Sequence, residues 1–278
     1  ILETEQFPVD YFGNDCAPNI IAIQYGTKNP DQYVVCGSHL DSYSLSGVCP
    51  GADDNATGVA TVLETARILS EYSFEYSILY CAFSAEEIGL IGSEAYASFC
   101  AEMGMDIVAY FNNDMNGYLH EGNEIHVDLI YPDAVATLGD YYKNVAGTYF
   151  PEMEVRHIEF TAGDSDHTSF NNNGFMGIYP FEDKENYSPY IHTKDDVIGI
   201  SVNSFEQSQR FTQMNLACVA HMANLSTENV LENVYNNVKI FPNPAKNSLT
   251  LQSDDATNEV VILNSLGQIV KEFSFESN

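Results

Sequence analysis

The apolar residues of this chain fall into short continuous runs separated by amphipathic stretches. NIIAIQYG (19–26) and YVVCGSHL (33–40) are strand-like, and the polar, Pro-containing TKNPDQ between them predicts a β-hairpin. GVATVLETARILSEY follows, with Val59, Val62, Leu63, Ala66 and Leu69 along one helical face. SILYCAFS (77–84) is almost wholly apolar, the pattern of a strand buried on both faces. IGSEAYASFCAEM is helical, DIVAYFNND and NEIHVDLIY are strands, and DAVATLGDYYKNVAGTY is a helix. MGIYPFED makes another strand, and SVNSFEQSQRFTQMNLACVAHMANL a long final helix. Strands alternating with helices predict an α/β fold, a three-layer sandwich around a mixed, largely parallel central sheet.

The pattern changes near residue 227. STENVLENVYNN is polar, and beyond it VKIFPN, SLTLQS, EVVILNS and QIVKEFSF alternate with turns. The expected division is a main unit at 1–226, a linker at 227–237 and a small, partial β-sandwich-like unit at 238–278. A unit of about 40 residues makes only a weak core by itself.

Composition narrows the partners. Forty acidic residues against ten basic ones leave a net charge of −30, which makes nucleic acid a poor partner and suits a solvated acidic surface. No apolar run is long enough to span a membrane. The chain begins Ile-Leu-Glu without a Met, and this is read as a processed or trimmed product. None of the six cysteines stands in a CxxC pair, which argues against a thiolate metal site. Cys36 and Cys81 lie in apolar runs and are expected as buried thiols. The even count leaves room for one disulfide between Cys16 and Cys49.

The chemistry-bearing residues sit at the ends of the predicted strands. His39 and Asp41 close VVCGSHLDS, Glu86 and Glu87 follow SILYCAFS, and Asp114 follows DIVAYFNN. In an open α/β sheet the site lies at the carboxyl ends of the strands. Each residue taken alone has an ordinary explanation: a turn histidine, a helix-capping acid, a surface pair of glutamates. Together with Asp53 in PGADDNATG and His192 in YIHTKDD they make the oxygen and nitrogen donor set of a zinc site. Asp54 is expected to cap the following helix, while Gly51 and Gly58 allow close backbone approach at Asp53, which is therefore preferred as a bridging ligand. Of the adjacent glutamates, one can bind metal while the other stays free as a base. The donors Asp53, Glu87 and Asp114 with a hydroxide would neutralise two divalent ions.

The ordered set GSHLDS, PGADDNATG, AEEIGLIGS, NNDM and IHTKDD resembles the co-catalytic di-zinc aminopeptidases of the bacterial leucyl aminopeptidase type, over roughly residues 18 to 225. The resemblance implies two Zn2+ ions, one held by His39 and Asp114, the other by Glu87 and His192, with Asp53 bridging. It implies Glu86 as general base, Asp41 as support for His39, and a cis peptide at Asp53-Asp54. GDSDHTSFNNNG resembles a family segment near the pocket, with His167 structural. Tyr179 and Phe181 match the stretch that walls the specificity pocket, and Tyr179, Tyr187 and Tyr190 stand as candidates to assist an oxyanion. His120, His126, His157 and His221 are read as ordinary histidines without ligand partners. The family's usual N-terminal helix is not evident in the fifteen or so residues before the first predicted strand.

The C-terminal unit, with KIFPNPAKNSLTL and ILNSLGQIV, resembles the sorting domain of type IX secretion substrates. It implies export to the cell surface or beyond, with the secretion machinery as a partner. The expected function is hydrolysis of N-terminal residues from peptides with a free N-terminus. The alternatives are a glutaminyl cyclase on the same fold, whose pocket tryptophans have no counterpart in a chain without Trp, and a non-catalytic metal-binding surface protein. A carboxypeptidase would need a basic clamp, and Arg67, Arg156 and Arg210 all lie outside the ligand segments.

Overall fold

In a computed structural model of the chain, the described residues are 2–11, 13–45, 47–159 and 165–224, together with 238–241, 250–253, 259–263 and 269–274. Two compact units divide at Ser226 and Thr227. The expected linker at 227–237 lies outside the described residues.

The first unit is built on an eight-stranded sheet. Its chain order runs β1 (Glu3–Phe7), a small hairpin of β2 (Asp10–Tyr11) and β3 (Asn14–Asp15), β4 (Asn19–Gln24), β5 (Asn29–His39), α1 (Gly58–Leu69), β6 (Tyr76–Phe83), α2 (Ile91–Glu102) and β7 (Asp106–Asn112). It continues with β8 (His126–Ile130), α3 (Ala136–Tyr149), β9 (Glu154–Ile158), α4 (His167–Asn172), β10 (Gly177–Phe181) and α5 (Phe205–Met222). The sheet order is β1-β4-β6-β5-β7-β10-β8-β9. Its centre, β6-β5-β7-β10, is parallel throughout. The pairs β1·β4, β4·β6 and β10·β8 are antiparallel, so the sheet is mixed.

Side chains alternate across the central strands and are buried on both sides. Val34, Cys36, Ile78, Tyr80, Ala109 and Phe111 face a core shared with α1, α3 and α5. Val35, Leu79, Cys81, Phe83 and Tyr110 face a second core with α2 and α4. This is the three-layer sandwich read from the alternation of elements.

Three expectations change. The hairpin of 19–26 with 33–40 does not form, because β6 lies between β4 and β5 and pairs with both. A strand as uniformly apolar as VVCG belongs at the sheet centre, with parallel neighbours, and not at a solvent-facing hairpin. Residues 3–7, where no element was expected, extend the sheet as β1 against β4. All six cysteines are free, so Cys16 and Cys49 do not form the disulfide that the even count permits. Cys36 and Cys81 are buried thiols.

In the second unit β11 (Val238–Phe241) pairs antiparallel with β12 (Thr250–Ser253), and β13 (Glu259–Leu263) with β14 (Ile269–Ser274). Among the described residues no helix is long and apolar enough to cross a membrane.

Candidate metal centre

The four parallel strands deliver their carboxyl ends to one edge of the sheet. His39 is the last residue of β5, Glu86 and Glu87 follow β6, Asp114 follows β7, and Glu182 follows β10. His192 enters from the irregular loop between β10 and α5. Three non-glycine residues at this edge have left-handed backbones: Ala85 (φ 57°) before Glu86, Met115 (φ 47°) after Asp114, and His192 itself (φ 57°). Each such residue costs about 1–3 kcal/mol and persists only where its surroundings over-determine it.

Asp53 and Asp54 lie in an irregular helical turn, Ala52–Thr57, between β5 and α1. The turn starts at Gly51, whose φ of 61° suits a residue without a Cβ. It ends against Gly58, where a Cβ would collide with the main-chain oxygen of Asn113. The backbone leaves helical geometry at Asp54 and Asn55, so the two neighbouring carboxylates point into different surroundings.

The His39 ring is almost completely buried. Its Nδ1–H donates to the main-chain oxygen of Asp41 at 3.0 Å, since a carbonyl can only accept. Nε2 is thereby aimed at Asp54 Oδ1 (3.3 Å) and Asp114 Oδ1 (3.4 Å). His192 Nε2 lies 3.1 Å from Asp54 Oδ2 and 2.9 Å from Glu87 Oε2. Donor atoms of His39, Asp54 and Glu87 all lie within 4.8 Å of one another, and so do those of His39, Glu86 and Asp114.

The carboxylate between the two imidazoles is that of Asp54, not Asp53 as expected. Asp53 is turned under the edge, where Oδ1 accepts from Gly117 N–H (2.8 Å) and Thr57 Oγ1 (3.2 Å). The kink at Asp54 separates the two. Likewise the cis peptide is Asp54-Asn55, one step beyond the expected Asp53-Asp54. His39, Glu86, Glu87, Asp114 and His192 all meet at this edge.

Several supports hold these groups. Asp41 accepts the amides of Glu86 (3.1 Å) and Glu87 (3.2 Å) with its two oxygens. Asp114 Oδ2 accepts from Ser165 Oγ (2.7 Å), which accepts from Asn112 Nδ2, whose Oδ1 accepts from Tyr110 OH. Ser165 and Asp196 were not singled out in the sequence. The signal for Asp196 was its place in IHTKDD, four residues after His192.

The electrostatics show a centre short of positive charge. Burial pushes the Glu86 carboxyl up to about 10, opposed by His39 and reinforced by Asp166, Asp114 and Glu87. Burial and then Asp54 push Glu87 up to about 7. Burial alone would depress His39, but Asp114, Asp41 and Asp54 hold its proton well above the usual histidine range. A hydrogen bond to Asp54, outweighing partial burial, raises His192 to about 9. Burial would raise Asp54, yet His192 and His39 bring it down to about 2. Glu87 Oε1 is buried with no hydrogen-bond donor. Imidazoles and carboxylates converging without a thiolate, around an unsatisfied buried oxygen, fit zinc.

Tyr179 and Phe181 are buried in an apolar cluster with Met115 and Ile130, packed against Ile158 and Ile191. Met115 follows Asp114 and Ile191 precedes His192, so this cluster adjoins the centre. His167 is buried beside Tyr179, and burial lowers it to about 3.

One histidine read as lacking partners at ligand spacing has them. His126, Asp128 and Asp183 bring donor atoms within 4.8 Å of one another. Arg156 lies against the first two, donating from Nε to Asp128 Oδ1 at 2.8 Å and from Nη2 to His126 Nε2. The signal was the H-x-D step in IHVDL, the same spacing as His39 and Asp41 on a strand with period-two faces.

Comparison with known proteins bears on the family and the fold. Leucine aminopeptidase 1 of Neurospora crassa is 31% identical over 222 residues, covering 74% of this chain and 54% of that protein. BSAP, a zinc aminopeptidase from Bacillus subtilis, superposes with a TM-score of 0.64 at 26% identity, covering 76% of this chain and 51% of that one. A glutaminyl cyclase from an Acidobacteriales bacterium reaches a TM-score of 0.64 at 21% identity, over 80% of this chain and 79% of that one, a likeness of fold alone. The chain spans about half the length of the curated relatives it matches. Residues 239–278 match the secretion system C-terminal sorting domain. Residues 19–216 match peptidase family M28, and with the histidines and acids of the sheet edge inside that span, the chain belongs to this family.

Proposed function

We propose that this chain is an exported zinc aminopeptidase that removes N-terminal residues from peptides. The observation that carries the reading is the Asp54 carboxylate standing between His39 and His192, with Glu87 and Asp114 beside it. His39 and Asp114 would hold one Zn2+, Glu87 and His192 a second, and Asp54 would bridge. Zinc bound there supplies Lewis-acid polarisation of the substrate carbonyl and a water acidic enough to attack at neutral pH.

The protein's own groups do the rest. Glu86 is half-buried beside the ligands, and its oxygen meets His39 and Asp114 within ligand range. It takes the proton of the attacking water and returns it to the leaving amine. Asp41 holds the Glu86 and Glu87 amides, so the base and its ligand neighbour keep their separate directions. The surrounding acids favour a cationic substrate end, the free α-amine. The apolar cluster of Tyr179 and Phe181 includes Met115, next to Asp114, and packs against Ile191, next to His192, which supports a preference for an apolar first side chain. The match to a sorting domain at 239–278 supports export through the type IX machinery.

The test is a panel of aminoacyl amides, each beside its N-acetylated form, with and without a zinc chelator. Chelator-sensitive release from free amines only is expected. Cyclisation of N-terminal glutamine without hydrolysis, or zinc uptake with no release from any substrate, would overturn the reading.

A further inference from the structure

Two carboxylates hold the backbone of the centre in the same manner. Asp41 spans the consecutive amides of Glu86 and Glu87. Asp196 does this for the other adjacent acidic pair: Oδ1 accepts Asp53 N–H at 2.9 Å and Oδ2 accepts Asp54 N–H at 3.2 Å. Asp196 is buried and lies four residues beyond His192 in the same loop. Its main chain completes the joint, since Ala52 N–H donates to Asp196 O at 3.1 Å and Asp196 N–H to Thr193 O at 3.3 Å. Three successive amides of the turn bearing Asp54 are thus tied to one residue of the loop bearing His192.

We propose that Asp196 is a positioning residue of the metal centre: its carboxylate fixes the Asp54 turn against the His192 loop, so that one carboxylate can face both imidazoles. This rests on the metal-centre reading above. The physical case is that both bonds are charge-assisted and that both amides are buried, so losing the fork leaves unsatisfied donors. An asparagine keeps the shape but offers one acceptor and one NH2. One of the two amides would then face another donor, and the turn must shift to relieve it. Shape alone does not do the work of this residue; two acceptor oxygens do.

The experiment uses the full chain and zinc alone as probe. Wild type, Asp196→Asn, Asp196→Glu and Asp195→Asn are stripped of metal. Zinc affinity is then measured by competition with a chromophoric chelator, with circular dichroism and melting in parallel. Asp195 pairs with Lys194 at 2.7 Å outside the centre and serves as the control. Asp196→Asn is expected to weaken zinc binding about 10–100-fold, the usual effect of removing an outer-shell partner. Asp196→Glu, which keeps both acceptors, should recover part of this, and Asp195→Asn should match wild type. Wild-type zinc affinity in folded Asp196→Asn would overturn the proposal, because a merely structural residue would lower the melting temperature and leave that affinity alone. If Asp196→Asn does not fold, hydrogen exchange on wild type decides. The Asp53 and Asp54 amides should be protected as well as those of α1, and exchange at open-loop rates would overturn the clamp. A wild-type chain that takes up no zinc overturns the metal-centre reading itself, and this one with it.

Discussion

Asp54 Oδ2 lies 3.1 Å from His192 Nε2, and its other oxygen faces His39 at 3.3 Å. One carboxylate therefore joins an imidazole at the end of a central strand to another on a distant loop. The neighbouring Asp53 makes no such contact, and its Oδ1 accepts from Gly117 and Thr57. Asp54→Asn should accordingly weaken zinc uptake about 10–100-fold or more, the scale of even an outer-shell loss, while Asp53→Asn should keep the zinc content of the unaltered chain. Metal analysis after dialysis separates the two; equal losses would mean that Asp53 also serves as a ligand.

Glu86 is placed to move a proton without being needed to hold metal. Glu86→Gln should lower kcat about 100- to 10,000-fold, the usual contribution of a general base, with zinc content unchanged. Steady-state kinetics on an aminoacyl amide, beside metal analysis, checks this. A rate within a few-fold of wild type would remove Glu86 from the reaction.

Stability of the zinc-free chain should fall as pH rises from about 5 to about 10. Glu87 sits at about 7 and Glu86 at about 10, against an ordinary 4.5, and His192 at about 9 against 6.5. Within these windows the folded chain holds protons that the unfolded chain has released, so the slope of stability against pH is negative. Asp54, held at about 2, acts with the opposite sign only below about pH 4. Zinc replaces those protons, so its rise in melting temperature should be larger at pH 8 than at pH 6. Thermal melts across this range, with chelator and with zinc, give the answer; a stripped protein that grows more stable toward pH 9 contradicts it.

Arg156 should matter for stability and not for turnover. Its Nε bonds the fully buried Asp128, whose other oxygen accepts from Lys184 N–H at 2.7 Å. Arg156→Ala leaves that charge without its cation and should cost about 1.5–3 kcal/mol, the range for hydrogen bonds to charged groups. Urea unfolding measures the loss, and kcat per folded molecule should stay at the wild-type value.

The layers and most of the centre were legible because their signals are local. An apolar run ending in His39, Glu86 or Asp114 marks both a buried strand and the end of it. Non-local relations were not legible. Nothing in 19–40 reveals that β6 will enter between β4 and β5, because a strand's neighbours are chosen by the whole sheet. Asp53 and Asp54 are chemically identical neighbours, and only the kink at Asp54 decides which one faces the histidines. His126 and Asp128 went unrecognised for a related reason: their third partner, Asp183, comes from a segment more than fifty residues away.

The sheet order has a further consequence for design. β6, β5 and β7 are adjacent and parallel, and they present Glu87, His39 and Asp114 side by side, like teeth on a comb. The pitch of such a comb is the interstrand distance of about 4.8 Å, set by backbone hydrogen bonding and indifferent to side chains. Loop substitutions can exchange one tooth for another and so change which ion or substrate is gripped. They cannot widen the comb, and a centre of a different gauge would require a different strand order.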